Sequence, residues 1–213
     1  MKLFGYWRSS ATYRVRIALA LKGLDYDYAP VNLLKGEQRE ADYAGVNPQG
    51  LVPALITDDG ATLTQSLAII EYLEERFPEP SLLPADPNDR GRARGIAYAL
   101  ACEAQPFMNL RIQQYLKNDR GFDEAAMKDW LNRFAGAAMA AVEKIVAETG
   151  GAFCVGDTPT IADACLVPQM FGAARFGVDV SDFKRLNEIN ERCNALDAFR
   201  KAHPDNQPDA VKG

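Results

Sequence analysis

A chain of 213 residues with 47% hydrophobic and 25% charged residues has the composition of a soluble folded protein, not of a disordered one. Its net charge of −5 argues against bulk nucleic-acid binding, which needs a concentrated basic surface, but leaves room for a local basic pocket. The length admits one large domain or two small ones.

In chain order, the spacing predicts a short strand over residues 2–7, where Leu3, Phe4, Tyr6 and Trp7 favour extended backbone. A helix follows over about 11–22, striped by Val15, Ala18 and Leu19, with Ser10 as its expected N-cap and Gly23 as its stop. Residues 26–31 read as a second strand and Glu37 to Tyr43 as a short polar helix or turn. Asn47, Pro48 and Gly50 mark a loop; Val52, Ala54, Leu55 and Ile56 read as a strand entered through Pro53. Asp58, Asp59 and Gly60 turn that strand back through Thr62 and Leu63, and Gln65-Ser66 opens a helix carrying Leu67, Ile70, Leu73 and Phe77. The order is that of a small mixed sheet covered by helices.

Four prolines, Pro78, Pro80, Pro84 and Pro87, crowd into the next stretch. The expected division is therefore a domain over 1–80, a linker over 81–87 and a helical domain over 88–213. Long helices are expected over about 88–117 and 123–148, with others beginning near Thr160, Asp182 and Ala195. The tail from His203 onward is expected to be loose.

The four cysteines, Cys102, Cys154, Cys165 and Cys193, form no CxxC pair. They read as small buried hydrophobes in a reducing compartment. A single histidine, His203, argues against a histidine-based metal site, and no metal is expected. The apolar run at the N-terminus is too short for a signal-peptide core, and no stretch approaches the roughly 20 apolar residues of a membrane span. The expected location is the cytoplasm, with no membrane or nucleic-acid partner.

The segment from Arg8 to Arg16 is the richest in chemistry. Ser9 and Ser10 sit where a strand ends and a helix begins, where free N–H groups and the helix dipole favour an anion. A hydroxyl there either caps the helix or donates to a bound thiolate. Gln65-Ser66 offers a second helix start suited to a carboxylate. Val52-Pro53 lies between them, and a cis bond there would turn the Val52 backbone outward for strand-like pairing with an extended peptide. Thr160 with Asp163 forms a capping-box arrangement, so Asp163 reads as structural.

Together with Asn32-Leu33-Leu34-Lys35-Gly36-Glu37-Gln38, Asn47-Pro48-Gln49-Gly50-Leu51-Val52-Pro53, Gln65 through Leu73 and Thr158 through Asp163, this segment resembles the zeta-class glutathione transferases over essentially the full length. The class signature is serine-serine-cysteine-serine/threonine-aromatic-arginine-valine-arginine; here Ala11 replaces the cysteine. The resemblance implies a glutathione-transferase fold, with a thioredoxin-like α/β domain followed by an all-α domain, and a homodimer. It implies reduced glutathione as cofactor, with the thiolate steadied by Ser9 or Ser10, and Ser9 preferred. Val52 matches the contact to the cysteinyl part, Gln65 and Ser66 the γ-glutamyl contacts, and Gln38 and Gln49 further ones.

Zeta-class proteins are similar to enzymes that isomerise maleylacetoacetate, and some bacterial relatives isomerise maleylpyruvate in the gentisate route of aromatic breakdown. The expected reaction is therefore glutathione-dependent cis–trans isomerisation of a small unsaturated keto-dicarboxylate, with maleylpyruvate preferred. Because such a substrate carries two negative ends, arginines are the expected anchors. Arg8 stands beside the thiolate segment, and the resemblance points to Arg175 and to the neighbourhood of Arg111, with Asn109 adding a hydrogen bond. Maleylacetoacetate isomerisation, a broader transferase activity and a glutathione-binding protein with little turnover are the competing functions.

Overall fold

The structure, a computed structural model, describes residues 1–211. The chain divides into two units: Met1–Leu82 together with Leu196–Gly213, and Leu83–Ala195.

The first unit opens with β1 (Lys2–Gly5), α1 (Ser10–Leu21) and β2 (Asp27–Pro30). A 3-10 turn (Glu37–Arg39) and α2 (Ala41–Ala44) lead to β3 (Ala54–Ile56), β4 (Thr62–Thr64) and α3 (Ser66–Arg76). The four strands form one mixed sheet in the order β2-β1-β3-β4. β1 and β2 are parallel, with Gly5 opposite Pro30; β3 is antiparallel to both β1 and β4, with Ala54 opposite Phe4 and Thr64. This register sends four chain segments to one end of the sheet: the exits of β1, β2 and β4, and the entry of β3.

α1 carries a run of buried residues, Thr12 to Leu19, that covers its whole circumference. It packs against α3, and its Leu19, Ile17 and Val15 join Leu3, Leu55, Ile69, Ile70 and Leu73 among the fully or almost fully buried residues of the unit. Each such side chain contributes about 1.5–3 kcal/mol by leaving water. The exit of β1 fits closely against this helix: a Cβ on Gly5 would lie 2.3 Å from the Thr12 methyl. Ser9, not Ser10, is the N-cap, its Oγ accepting from the Thr12 N–H at 3.2 Å. The strand ends at Gly5, two residues earlier than its aromatic composition suggests, and the freed residues make the turn that puts Ser9 at the cap.

In the second unit, α4 (Pro87–Tyr98) is capped by Asp86 and followed by a π-helical stretch (Ala99–Ala104) and a 3-10 turn (Gln105–Met108). A new helix, α5 (Leu110–Asn118), then begins. The single helix expected over 88–117 is thus broken. Pro106 has no N–H for a regular ladder, and Asn109 starts the next helix as its cap. α6 (Glu124–Leu131) runs through another π-helical stretch (Asn132–Gly136) into α7 (Ala137–Thr149). α8 (Ile161–Phe176) is buried along most of its length and packs against α4 and α9 (Lys184–Asn194). It starts at the Thr160–Asp163 capping box and stops at Gly177, whose φ of 70° is the left-handed conformation that glycine adopts freely.

The C-terminal segment corrects two expectations. α10 (Asp197–Ala202) packs on α1 of the first unit, so the helical unit does not run to residue 213; residues 212 and 213 lie outside those described. Nor is the segment from His203 onward loose. It forms a 3-10 turn (Pro204–Asn206), and the Asp209 carboxylate accepts from the Trp7 N–H at 3.0 Å. The cause is burial: Phe199 and Ala202 find apolar cover against α1, and the chain beyond them is held in place.

Candidate functional site

The register of the sheet assembles the first unit's candidates at one end. Arg8, Ser9 and Ser10 follow β1. Gln38 follows β2. Gln49 and Val52 precede β3, and Gln65 and Ser66 follow β4.

At the first of these positions the Ser9 hydroxyl accepts one hydrogen bond as a cap, and its own proton remains to be donated. Ser10 is the first residue of α1, where backbone N–H groups lack partners within the helix. Ala11 follows and has neither thiol nor hydroxyl, so the first turn carries no thiol of its own. The Arg8 guanidinium stacks over the Trp7 ring at 4.0 Å, and among the described residues no ion pair involves it. It is a cation held on an aromatic face, with its fork of donors unspent.

The Val52-Pro53 peptide bond is cis. Two side chains, Tyr43 and Asn47, donate to the neighbouring Leu51 carbonyl at 2.6 and 2.7 Å and fix the approach to Val52. Burial pushes the Tyr43 hydroxyl up to about 12, with hydrogen bonding to Asn47 pulling the other way. No hydrogen bond among the described residues uses the Val52 N–H or C=O, which leaves both for an extended ligand.

Gln65 is the one described non-glycine residue with positive φ, 68°, and it immediately precedes α3. Its Nε2 donates to Gln49 Oε1 at 2.9 Å, which joins two of the expected ligand contacts to each other. The Ser66 Oγ accepts from Arg14 Nη1 at 2.7 Å in a buried contact. Arg14 is not a surface group: it is only 4% exposed and ties α1 to the start of α3. Its signal was its place between buried Tyr13 and Val15 on a helix with no polar face. The Gln38 Oε1 is buried without a hydrogen-bond partner in the structure.

These groups fit a γ-glutamyl tripeptide. There are an unpaired backbone edge for its extended middle, a helix start for a terminal carboxylate, an unsatisfied amide oxygen for an N–H, and a hydroxyl at a second helix start for its sulfur.

The helical unit holds the remaining candidates. Asn109 caps α5, its Oδ1 accepting from the Arg111 N–H at 3.1 Å, so only its amide hydrogens remain to donate. The turn before it is pinned by Gln113 Nε2 to the Met108 carbonyl at 2.6 Å and by Trp130 Nε1 to the Phe107 carbonyl at 3.2 Å. Arg111 is exposed in the first turn of α5 and makes no ion pair among the described residues. Arg175 is exposed near the end of α8, with its guanidinium 4.8 Å from the Phe176 ring. A cation at a helix C-terminus is favoured by the dipole.

Asp163 has no part in this chemistry. It is fully buried and accepts from the Cys154 and Thr160 N–H groups at 2.9 and 2.7 Å and from the Thr160 hydroxyl at 2.9 Å. Burial raises its pKa above the ordinary carboxylate value, and the hydrogen bonds pull the other way. Among the described residues, no group of three or more histidine, cysteine or acidic side chains could hold a metal ion, and no helix is long and apolar enough to cross a membrane.

Residues 8–76 match the family model for the glutathione S-transferase N-terminal domain. A maleylacetoacetate isomerase of Pseudomonas aeruginosa is 48% identical over 211 residues, covering 98% of each chain. The holo structure of a maleylpyruvate isomerase, described as a bacterial glutathione transferase of the zeta class, superposes with a TM-score of 0.95 at 44% identity, over 99% of this chain and 100% of that one. A maleylacetoacetate isomerase of Methylobacterium extorquens AM1, with bound malonate and glutathione, superposes with a TM-score of 0.94 at 39% identity over the whole of both chains. With the fold and the full-length likeness in agreement, the chain belongs to the zeta-class glutathione transferases, in the family of maleylacetoacetate and maleylpyruvate isomerases.

Proposed function

We propose that this zeta-class isomerase converts maleylpyruvate to fumarylpyruvate with reduced glutathione, in the gentisate route of aromatic-compound degradation. The observation that carries the reading is the sheet end at which Ser9, the unpaired Val52 backbone and the start of α3 meet with no thiol in the chain's own first turn. Bound glutathione supplies a thiolate, whose reversible addition to the cis double bond leaves a single bond that can rotate before elimination restores the alkene.

The chain's own groups then have three tasks. Ser9 donates its hydroxyl proton toward the sulfur while its oxygen stays on the Thr12 N–H, and Ser10 adds the free N–H groups of the α1 start; hydrogen bonds to the anion favour it over the thiol. The Val52 backbone, Gln65, Ser66, Gln38 and Gln49 hold the tripeptide in one orientation. Arg8, Arg111 and Arg175 take the substrate's carboxylates, and the Asn109 amide donates to its keto oxygen. Donors already oriented toward the developing charge cost no reorganisation as the reaction proceeds. The proposal includes a cytoplasmic homodimer.

The 48% identity to a maleylacetoacetate isomerase favours a second reading, in which maleylacetoacetate is the substrate. The chemistry is shared, and only the group beyond the keto carbonyl differs. Initial rates on both cis substrates, with and without reduced glutathione, test the proposal. Faster glutathione-dependent turnover of maleylpyruvate is expected. Preference for maleylacetoacetate moves the assignment to the second reading, and turnover of neither by folded, glutathione-binding protein rejects both.

The arginine assignment has its own test. Arg8→Ala or Arg175→Ala is expected to raise the KM for the diacid about 10- to 100-fold, the worth of one hydrogen bond to a charged group. Glutathione titrations should stay near the wild type. A variant that loses glutathione affinity and keeps its diacid KM removes that arginine from the substrate site.

A further inference from the structure

We propose that Asp209 is a positioning residue for the reaction: with Arg16 it clamps the Trp7 peptide groups from two sides and so fixes the loop that carries Arg8 and Ser9. The inference rests on the reading of Ser9 as the donor to the thiolate.

The loop needs an external hold. β1 ends at Gly5, and Trp7, only 3% exposed, lies beyond the sheet ladder. Its buried N–H therefore has no strand partner, and Asp209 Oδ2 accepts from it at 3.0 Å. Its carbonyl accepts from Arg16 Nη2 at 3.1 Å. Arg16 is fully buried in the middle of α1, and its Nε donates to the Ala202 carbonyl at 2.9 Å, the last residue of α10. The Tyr28 hydroxyl donates to the same Asp209 oxygen at 3.3 Å from the neighbouring strand. Both ends of the clamp thus run into the C-terminal segment, 202 and 186 residues from their partners in sequence.

Anchoring the tail alone would not need this arrangement. Phe199, Ala202 and Pro204 already bury apolar surface there. The clamp also leaves one oxygen of Asp209 and one nitrogen of Arg16 buried without a hydrogen-bond partner. Burying opposite charges with unspent polar atoms is costly. Here the carboxylate is spent on a backbone N–H two residues before Ser9, where a displacement of about 1 Å can cost on the order of 100-fold in rate.

The test uses the full-length protein as Asp209→Ala, Asp209→Ser, Asp209→Asn and Ser9→Ala. Each variant is followed by thermal melting, by kcat at saturating glutathione and by absorbance titration of the bound glutathione thiol. Serine is too short to reach the Trp7 N–H, whereas the asparagine carbonyl keeps an acceptor for it. Asp209→Ala and Asp209→Ser are expected to lower kcat about tenfold or more and raise the thiol pKa, and Asp209→Asn to recover kcat to within about threefold of wild type. If the alanine variant does not fold, the serine–asparagine pair decides. Lower melting with kcat and thiol pKa unchanged overturns the proposal and leaves Asp209 as a tail anchor. If Ser9→Ala moves the thiol pKa and the Asp209 variants do not, the clamp falls and Ser9 stands. If the Asp209 variants move it and Ser9→Ala does not, the Ser9 reading falls and the clamp acts through another group of the loop.

Discussion

Replacing Ser9 by alanine is expected to cut kcat about 100-fold, as loss of a single donor to a developing or bound anion does elsewhere. The bound thiol should titrate at a higher pH, because the thiolate loses the hydrogen bond that favours it. The variant also loses a cap, since Ser9 Oγ accepts from the Thr12 N–H. That loss alone costs about 1 kcal/mol of stability and would confuse a simple reading. Ser9→Asp separates the two. Aspartate caps a helix as well as serine, but when ionised it has no proton to give and repels an anion. It should keep the melting temperature and lose the thiolate. A thiol titration unchanged in both variants would remove Ser9 from the chemistry and turn attention to Ser10 and the free N–H groups of α1.

The second large effect is on the fold. Asp163→Ala should destabilise the protein by about 3–5 kcal/mol, because it removes the acceptor of two buried backbone N–H groups, each worth about 1–3 kcal/mol when orphaned, together with the capping box of α8. This is a large part of the 5–15 kcal/mol typical of a domain. Asp163→Asn should cost less, since one oxygen remains and only its partner atom becomes a donor facing donors. Chemical denaturation followed by far-ultraviolet circular dichroism reads both. A loss below about 1 kcal/mol for alanine would mean that water reaches Cys154 and Thr160 and that the box is not a sealed structural element. Because α8 packs on both α4 and α9, the effect should reach the whole helical unit.

The cause of each substitution's effect lies at a different range along the chain. The cap at Ser9 and the box at Thr160–Asp163 are local, closing over three residues. Both were legible as hydroxyls placed before apolar helical stripes, although the sequence assigned the first cap to Ser10. Where β1 releases its chain depends on the pairing of Phe4 with Ala54, and that release sets which serine becomes the cap.

Local patterning alone thus showed the order of the first unit's elements and their helix starts, and the quoted motifs carried the resemblance to the zeta class. Backbone propensity, capping and turn chemistry act between near neighbours, so a single sequence displays them. Only the tertiary structure decided the fate of the buried charges. Arg14 finds Ser66 across 52 residues, Arg16 finds Ala202 across 186, and Trp7 finds Asp209 across 202. Sequence composition makes a tail of charged and proline residues look loose, and an arginine on a helix look solvated. Burial reverses both, because a polar group removed from water must find its partner wherever the fold brings one within reach.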